Sequence, residues 1–267
     1  MNSRKQLEIL IEDSYNELVS LLKWFSLFGP IPTIIGGWAV YFYNSYFGSI
    51  DIDIVGPSHQ GRFIDLIERY QRTHNYEFTP KDPLGLEVTA RKPVIKNGKV
   101  IGYMEIDACT FEDPKPSSFH EDPNTQLPYS ITAEKRYQRE VKLEEDAICY
   151  IPSKPLLLLY KIKAARDRTH DLKIKGTTME PTQLERLRGK ATKDRADIIA
   201  LLDPEPTKCS IKEELDTGAF YDLVRRHGLE FTLTTITELP KHRDSTQLYN
   251  PSLNAKQIDE WIKTALK

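Results

Sequence analysis

The hydrophobic pattern of the chain changes near residue 150, and this change limits the possible folds more than any other feature. Before it, segments that alternate with a period of two lie between segments with helical spacing; after it, every periodic segment is helical. Strands repeat every two residues and helices about every 3.6, so the pattern predicts an α/β (α+β) chain. We expect an N-terminal mixed sheet flanked by helices over residues 1–150 and a C-terminal helical bundle over residues 151–267.

The predicted elements of the first domain are helices at 4–27, 37–47 and 59–73 and strands at 49–55, 86–95, 99–109 and 147–151. Asn97-Gly98 separates the second and third strands, and this dipeptide is typical of a two-residue hairpin turn. The proline- and aspartate-rich stretch 111–128 is expected to form a surface loop. The predicted helices of the second domain are 155–168, 192–203, 210–227 and 254–266.

Composition argues against several classes of protein. The three cysteines, Cys109, Cys149 and Cys209, lie far apart, which argues against a disulfide framework or a zinc site and favours a cytoplasmic location. Residues 1–25 carry acidic side chains in an amphipathic pattern, unlike a signal peptide, and the longest aliphatic run is too short to span a bilayer. We therefore expect a soluble protein with no membrane partner. At a net charge of −2, a nucleic acid would have to be bound by a local basic surface.

Two aspartates interrupt the apolar strand "SIDIDIV" at 49–55. In an extended strand, Asp51 and Asp53 project from one face and the isoleucines from the other. Two such carboxylates suit a divalent cation such as Mg²⁺, which also takes water and substrate phosphate oxygens as ligands. The alternative is a pair of solvent-facing polar residues on a half-exposed sheet.

Two further features favour a phosphate and metal site. Gly36-Gly37 stands at the entrance to the helix at 37–47, where backbone N–H groups can bind phosphate, although a simple turn would have the same sequence. Downstream, "YMEIDAC" places Glu105 and Asp107 on one face of a strand. Asp107, the shorter acid, is our preferred third metal ligand, and Glu105 stays open as the alternative.

These elements occur in a characteristic order over roughly the first 110 residues: a glycine pair, a short helix, a strand with the pattern hydrophobic-Asp-hydrophobic-Asp-hydrophobic, and a later strand with an acid. In this the chain resembles the DNA polymerase β-like nucleotidyltransferase superfamily. Its second half resembles one branch, the AbiEii-type toxin nucleotidyltransferases, which include the MenA- and MenT-like enzymes. There a Lys-x-x-Ala-x-x-x-Arg helix precedes Lys/Arg-Asp-x-x-Asp; here the motifs are "KIKAARDR" (161–168) and "KDRAD" (193–197).

Two features depart from the branch: residues 169–192 separate the motifs, where relatives have a few residues, and Gly37 stands where many relatives have serine. The resemblance implies an enzyme that moves NMP from an NTP to an acceptor hydroxyl with release of pyrophosphate, with Mg²⁺ or Mn²⁺ as cofactor. It assigns Asp51, Asp53 and Asp107 to the metal, and it also has Asp107 act as, or position, the base for the acceptor hydroxyl.

The resemblance also assigns the nucleotide-binding residues. Gly36 and Gly37 would hold the β- and γ-phosphates, while Lys161 would contact the triphosphate and Asp194 would orient that lysine. Lys161 is expected on a helix rim, where it adds charge to the ligand and little to the core. Ser49 is a further candidate for a phosphate contact, or it simply leads into the strand.

Spacing alone also supports a charged helix pair. Lys161 and Arg168 lie seven apart on one helix, and Asp194 and Asp197 lie three apart on another, so the two helices can face each other with matched charges. For Arg168 and Asp197 we prefer a structural salt-bridge network; for Lys161 we prefer the functional role.

The acceptor is expected among hydroxyl-bearing molecules, with the 3′ end of tRNA as first choice and a protein or small molecule as alternatives. A basic surface at 154–195 could bind RNA; its residues are Lys154, Lys161, Lys163, Arg166, Arg168, Lys173, Lys175, Arg186, Arg188, Lys190, Lys193 and Arg195. The branch also implies a cognate antitoxin as partner. A degenerate, non-catalytic nucleotide-binding module is the alternative of a different class, whereas a two-metal phosphodiesterase would need more histidine ligands.

Overall fold

The computed structural model of the protein describes residues 3–58, 62–78, 87–206 and 208–267. Its contacts form two compact units. The sheet unit comprises Met1–Phe42, Gly48–Asp113 and Pro128–Pro152, and the helical unit comprises Tyr43–Phe47, Pro114–Leu127 and Ser153–Lys267. The domain boundary between residues 150 and 151 stays a prediction.

The sheet unit contains one mixed sheet. Its strands are β1 (Thr33–Ile34), β2 (Ile52–Gly56), β3 (Glu77–Phe78), β4 (Glu87–Lys96), β5 (Lys99–Thr110), β6 (Gln138–Glu144) and β7 (Ala147–Pro152). Across the sheet they follow the order β3-β4-β5-β2-β1-β7-β6. Strand β2 is parallel to β5 and β1 is parallel to β7, while the other neighbours are antiparallel. Helices α1 (Ser3–Phe28) and α3 (Arg62–Thr73) pack on this sheet, and the predicted fold class is confirmed.

The predicted hairpin is also confirmed. Asn97 and Gly98 have φ angles of 51° and 73°, both positive as a type I′ turn requires, and Lys96 pairs with Lys99 across the turn. The strand at β2 starts later than predicted, at Ile52, so Asp51 directly precedes it. The pairing of β2 with β5, expected for a shared carboxylate site, is present in parallel register.

Helix α2 (Gly36–Tyr43) is buried almost throughout, as expected for a helix that is apolar on every side. Trp38 lies in its first turns and donates a hydrogen bond from Nε1 to Ser14 Oγ of α1 at 3.2 Å. This buried contact fixes the start of the helix in the core. The helix ends at Tyr43, four residues before the predicted end, and Asn44 instead donates to the carbonyl of Ala200 at 3.0 Å within the helical unit.

The helical unit confirms the predicted bundle. Its helices are α4 (Lys154–Lys175), α5 (Pro181–Leu202), α6 (Thr217–His227), α7 (Leu233–Glu238), α8 (Arg243–Tyr249) and α9 (Ala255–Ala265). The stretch 169–192 that separates the two motifs forms the end of α4, a turn and the start of α5. The extra residues therefore lengthen a helical hairpin and leave both motifs on facing helices.

Two helix starts show how capping sets the boundaries. The predicted helix at 210–227 begins only at Thr217, because the side chain of Asp216 accepts a hydrogen bond from the N–H of Ala219 at 2.8 Å and caps the helix there. Helix α9 begins with a capping box between Asn254 and Gln257. Across the described ranges, no helix combines the length and the apolar character that a bilayer crossing needs.

Candidate active site

Asp53 and Asp107 are direct neighbours in the sheet. Asp53 lies on β2 and Asp107 on β5, and the two are paired in the parallel register. Because paired residues on adjacent strands project from the same face, their carboxylates share one side of the sheet. The predicted alternation is observed on β5, where Met104, Ile106 and Ala108 are buried and the residues between them are partly exposed.

Gly36 brings the start of α2 against this carboxylate pair. Its φ is +67°, and a Cβ at this position would overlap the carboxylate of Asp53. The N–H of Ile35 donates to the carbonyl of Asp53 at 3.0 Å, which holds the two backbones together. The N-terminus of α2 and the Asp53 side chain therefore lie at one place, where a helix can offer N–H groups to an anion.

The carboxyl group of Asp107 is electrostatically strained. Burial and then like-charge repulsion from Asp53, Asp51 and Glu105 together raise its pKa to about 7, against a hydrogen bond from Thr89 that lowers it. These effects disfavour the ionised form, and a bound cation would relieve them by compensating the negative charge.

The donor set fits Mg²⁺ or Mn²⁺. Among the residues that the structure describes, no group of three or more His, Cys, Asp or Glu side chains is arranged as a metal site. Mg²⁺, however, usually takes only one or two protein carboxylates and keeps water and substrate phosphates as its other ligands. Asp53 and Asp107, adjacent on one face, supply such a pair, and Asp51 contributes to the same negative field.

The other site residues predicted in the sheet unit are Gly37, Ser49 and Glu105. Gly37 is buried in the first turn of α2, and Ser49 is buried two residues before Asp51. Glu105 shares a face with Asp107 and acts on its pKa. Thr89 was not predicted; it is paired with Asp107 across β4 and β5, and the hairpin register was the one sequence signal that could have identified it.

Lys161 and Asp194 lie in the helical unit, within a buried network. Lys161 Nζ is 2.7 Å from Asp197 Oδ2 and 3.5 Å from Asp194 Oδ1, and its side chain is only 8% exposed. Arg168 also pairs with Asp194. The prediction that Lys161 lies on a helix rim is therefore wrong, because Asp194 and Asp197 of α5 hold it between the helices. The salt-bridge network preferred for Arg168 and Asp197 is present.

Asp197 is the centre of this network. Burial alone would raise its pKa, but Lys161 and Lys193 lower the pKa below the usual value for an aspartate. Tyr46 donates a hydrogen bond from its hydroxyl to Asp197 Oδ1 at 2.6 Å. Tyr46 was not predicted, since it is 151 residues away in sequence and no local pattern links the two positions.

The predicted basic surface is smaller than expected. Lys154, Lys161 and Lys163 are buried, because their helix faces pack into the bundle. The basic side chains that are exposed cluster near the end of the α4–α5 hairpin: Lys173, Lys175, Arg186 and Arg188.

Comparison of the sequence with models of known protein families gives no match, and comparison with curated proteins gives none either.

Proposed function

We propose that the protein is a Mg²⁺- or Mn²⁺-dependent nucleotidyltransferase, which moves NMP from an NTP to an acceptor hydroxyl and releases pyrophosphate. The observation that carries the proposal is the meeting of three elements: the N-terminus of α2 at Gly36, the carboxylate of Asp53 and the neighbouring carboxylate of Asp107. Each of these three features is common in proteins when it occurs alone. Together they combine donors for a phosphate with ligands for a cation.

The cation supplies charge neutralisation for the triphosphate when it is bound. Asp53 and Asp107 would hold the cation, with Asp51 adding negative charge beside them, and the N–H groups at Gly36 and Gly37 would bind phosphate oxygens. The acceptor oxygen attacks the α-phosphorus, and the bond from that phosphorus to the bridging oxygen breaks as pyrophosphate leaves. The acceptor proton passes to the Asp107 carboxylate or to a water that it orients. Most of the acceleration comes from positioning and electrostatics.

On the resemblance alone, we assign the triphosphate also to Lys161, with Asp194 as the residue that orients it. The ion pair between them at 3.5 Å supports the orienting role. Ser49 remains a candidate phosphate contact in the same proposal. The buried position of Lys161 adds a structural role to the functional one.

For the acceptor we propose the 3′ end of tRNA, and for the protein the role of a toxin with a cognate antitoxin. The exposed cations at the end of the α4–α5 hairpin support an RNA acceptor, because they offer charge to a phosphate backbone. A protein hydroxyl or a small molecule is the alternative acceptor.

The test is incubation with each of four α-³²P-labelled NTPs, Mg²⁺, and either total tRNA or total protein. The proposal expects label on one class of acceptor, dependent on Mg²⁺ and absent for Asp107→Asn. Label that appears equally with the variant would contradict the proposed site. A folded wild-type protein that neither transfers label nor binds Mg²⁺–NTP would contradict the proposed reaction.

A further inference from the structure

A cavity lies wholly within the helical unit, between α4, α5 and the segment 234–242. Its volume is about 330 Å³, at the small end of the range of known ligand pockets, roughly 300–1,000 Å³. Its lining is cationic overall, because three cations face two acids: Arg166, Lys173 and Arg195 against Glu121 and Glu238, with His170 and His242 beside them. No residue proposed for the metal or the triphosphate is among the described residues that line it, although Lys173 also belongs to the exposed cations at the end of the α4–α5 hairpin.

Arg195 is the unusual member of this set. It is half-buried and donates hydrogen bonds to Thr169 Oγ1 at 2.7 Å and to the carbonyl of Ala191 at 3.5 Å. Among the described residues it forms no ion pair, and burial lowers the pKa of its guanidinium. A guanidinium stays charged in proteins, and the carboxylate of Glu238 favours the charge on Arg195 without forming an ion pair with it, so the cost of burial is compensated only in part. A bound anion would compensate the charge on Arg195.

The neighbouring acids are already engaged. Arg166 pairs with Glu121 and also donates to Thr234 Oγ1 at 2.9 Å and Thr235 Oγ1 at 3.1 Å. Glu238 lies 3.6 Å from Lys241. Within the described chain, Lys173 forms no ion pair either, so the cavity has an excess of positive charge.

The remaining donors suit an oxyanion. The hydroxyl of Thr235 accepts from Arg166 and can donate its own hydrogen. Burial and the nearby Arg195 lower the pKa of His242, so its ring is neutral at pH 7 and offers one N–H. Arginine, lysine, hydroxyl and imidazole donors around one small cavity are the set that binds phosphate.

We propose that this cavity binds a phosphate ester of about the size of one nucleotide, with Arg195 and Lys173 on the phosphate. The carboxylate of Glu238 also lines the cavity, and because its pair with Lys241 is exposed, it can still accept a hydrogen bond from a sugar hydroxyl. The ligand is either a free nucleotide or the terminal nucleotide of an RNA strand, since both offer the same phosphate and ribose. The proposal does not depend on the proposed metal and triphosphate site, because none of the residues of that site lines this cavity.

The experiment is calorimetric titration of the full-length protein in EDTA, so that no cation can support binding at Asp53 and Asp107. The probes are inorganic phosphate, AMP and a single-stranded RNA trinucleotide. We expect AMP or the trinucleotide to bind at least ten times more tightly than phosphate, and Arg195→Gln to weaken that binding at least tenfold. The matched control is Arg225→Gln, which removes an exposed arginine of α6 paired only locally with Asp222; it should bind like wild type.

Two further variants keep the outcome decisive. Lys173→Gln changes an exposed side chain, so it should fold normally and weaken binding several-fold even if Arg195→Gln does not fold. Asp53→Asn should bind AMP normally, which separates this cavity from the proposed active site. The proposal is overturned if the wild type binds none of the probes, or if both Arg195→Gln and Lys173→Gln bind as tightly as wild type. If the trinucleotide binds tightly and AMP binds weakly, the ligand of the cavity is the terminal nucleotide of an RNA strand and not a free nucleotide.

Discussion

Gly36 is constrained twice, by its backbone and by its neighbour. Its φ of +67° favours glycine, and a Cβ there would overlap the Asp53 carboxylate. Gly98 is a matched control, because its φ is +73° but no atom of the described residues lies within 4 Å of the Cβ position. We expect both Gly36→Ala and Gly98→Ala to lose about 1–2 kcal/mol of stability from the backbone conformation, whereas only Gly36→Ala also displaces the carboxylate of Asp53, the proposed metal ligand.

The measurements are urea unfolding and the labelled-transfer assay on both variants. Transfer should fall at least about tenfold for Gly36→Ala, on the scale known for small misplacements of catalytic groups, and should be unchanged for Gly98→Ala. Equal activity of the two variants would show that the contact between Gly36 and Asp53 has no catalytic role.

Asp107 makes the stability of the metal-free protein depend on pH. Its folded pKa is raised to about 7 from 3.8, so the folded state holds its proton more tightly than the unfolded state. The free energy of unfolding should therefore fall as pH rises from about 4 to 7 and then stay level. Asp107→Asn should remove this fall, and its stability relative to wild type should increase by roughly 2 kcal/mol between pH 5 and pH 8.

Chemical unfolding in EDTA at several pH values measures this difference. A difference between variant and wild type that does not change with pH would mean that Asp107 ionises normally in the fold.

At the scale of single residues, alternation in two short strands was enough to predict Asp53, Asp107 and Glu105 on one face. It could not show that Asp51 lies just outside β2, because strand ends depend on pairing partners elsewhere in the chain. Thr89 and Tyr46 also escaped prediction, since their roles come from register and from long-range packing.

The facing helices α4 and α5 are tied by buried charge. Removing Lys161 leaves Asp197 buried with Lys193, whose Nζ is 3.2 Å from Asp197 Oδ2, as its remaining cationic partner. We therefore expect Lys161→Ala to lose about 3–5 kcal/mol, the usual cost of breaking one side of a buried pair. This replaces the expectation of an undisturbed fold.

A double-mutant cycle with Asp197→Asn tests this coupling by urea unfolding. The double variant should be less destabilised than the sum of the two single variants, because the second change removes the charge that the first left unpaired. If the two changes in unfolding free energy simply add, Lys161 and Asp197 are not energetically coupled.

Elements with a strong local signal were predicted well. The hairpin at Asn97-Gly98 and the amphipathic helix α1 needed only nearby residues. Strand β6 was missed, because it lies at the sheet edge and only Val141 of its seven residues is buried, so its sequence is mostly charged. Helix α6 was predicted too long, since the acidic stretch before it has helical spacing but the cap at Asp216 starts the helix later.

At the scale of the whole molecule, the two units share the chain in an interleaved way. Tyr43–Phe47 and Pro114–Leu127 belong to the helical unit although they lie in the first domain of the sequence. Within that unit, Tyr46 bonds Asp197 and Glu121 pairs with Arg166. We expect a fragment of residues 151–267 to lack these partners and to fail to reach the native state.

Circular dichroism melts and two-dimensional NMR of the fragment check this. A cooperative melt with well-dispersed resonances would show that the helical domain needs nothing from the first 150 residues. The change of periodicity near residue 150 predicted the two classes of structure. It could not predict that Tyr43–Phe47 and Pro114–Leu127 pack with the helical unit, because nothing in the sequence of these segments links them to the second half of the chain.

The central claim is that Asp53 binds a catalytic cation, and one substitution separates this role from a structural one. Asp53→Asn removes a like charge beside Asp107, so the apo variant should be as stable as wild type at neutral pH, or slightly more stable. It should lose the ability to hold the cation, and transfer should fall by several orders of magnitude.

The most direct measurement is a thermal melt of wild type and Asp53→Asn, each with and without Mg²⁺ and NTP, beside the labelled-transfer assay. At about 100 times the dissociation constant the ligand pair should raise the Tm of wild type by roughly 5 °C, and it should leave the variant unchanged. A variant that melts far below wild type yet still transfers label would contradict the account, because Asp53 would then be a structural residue and the catalytic site would lie elsewhere.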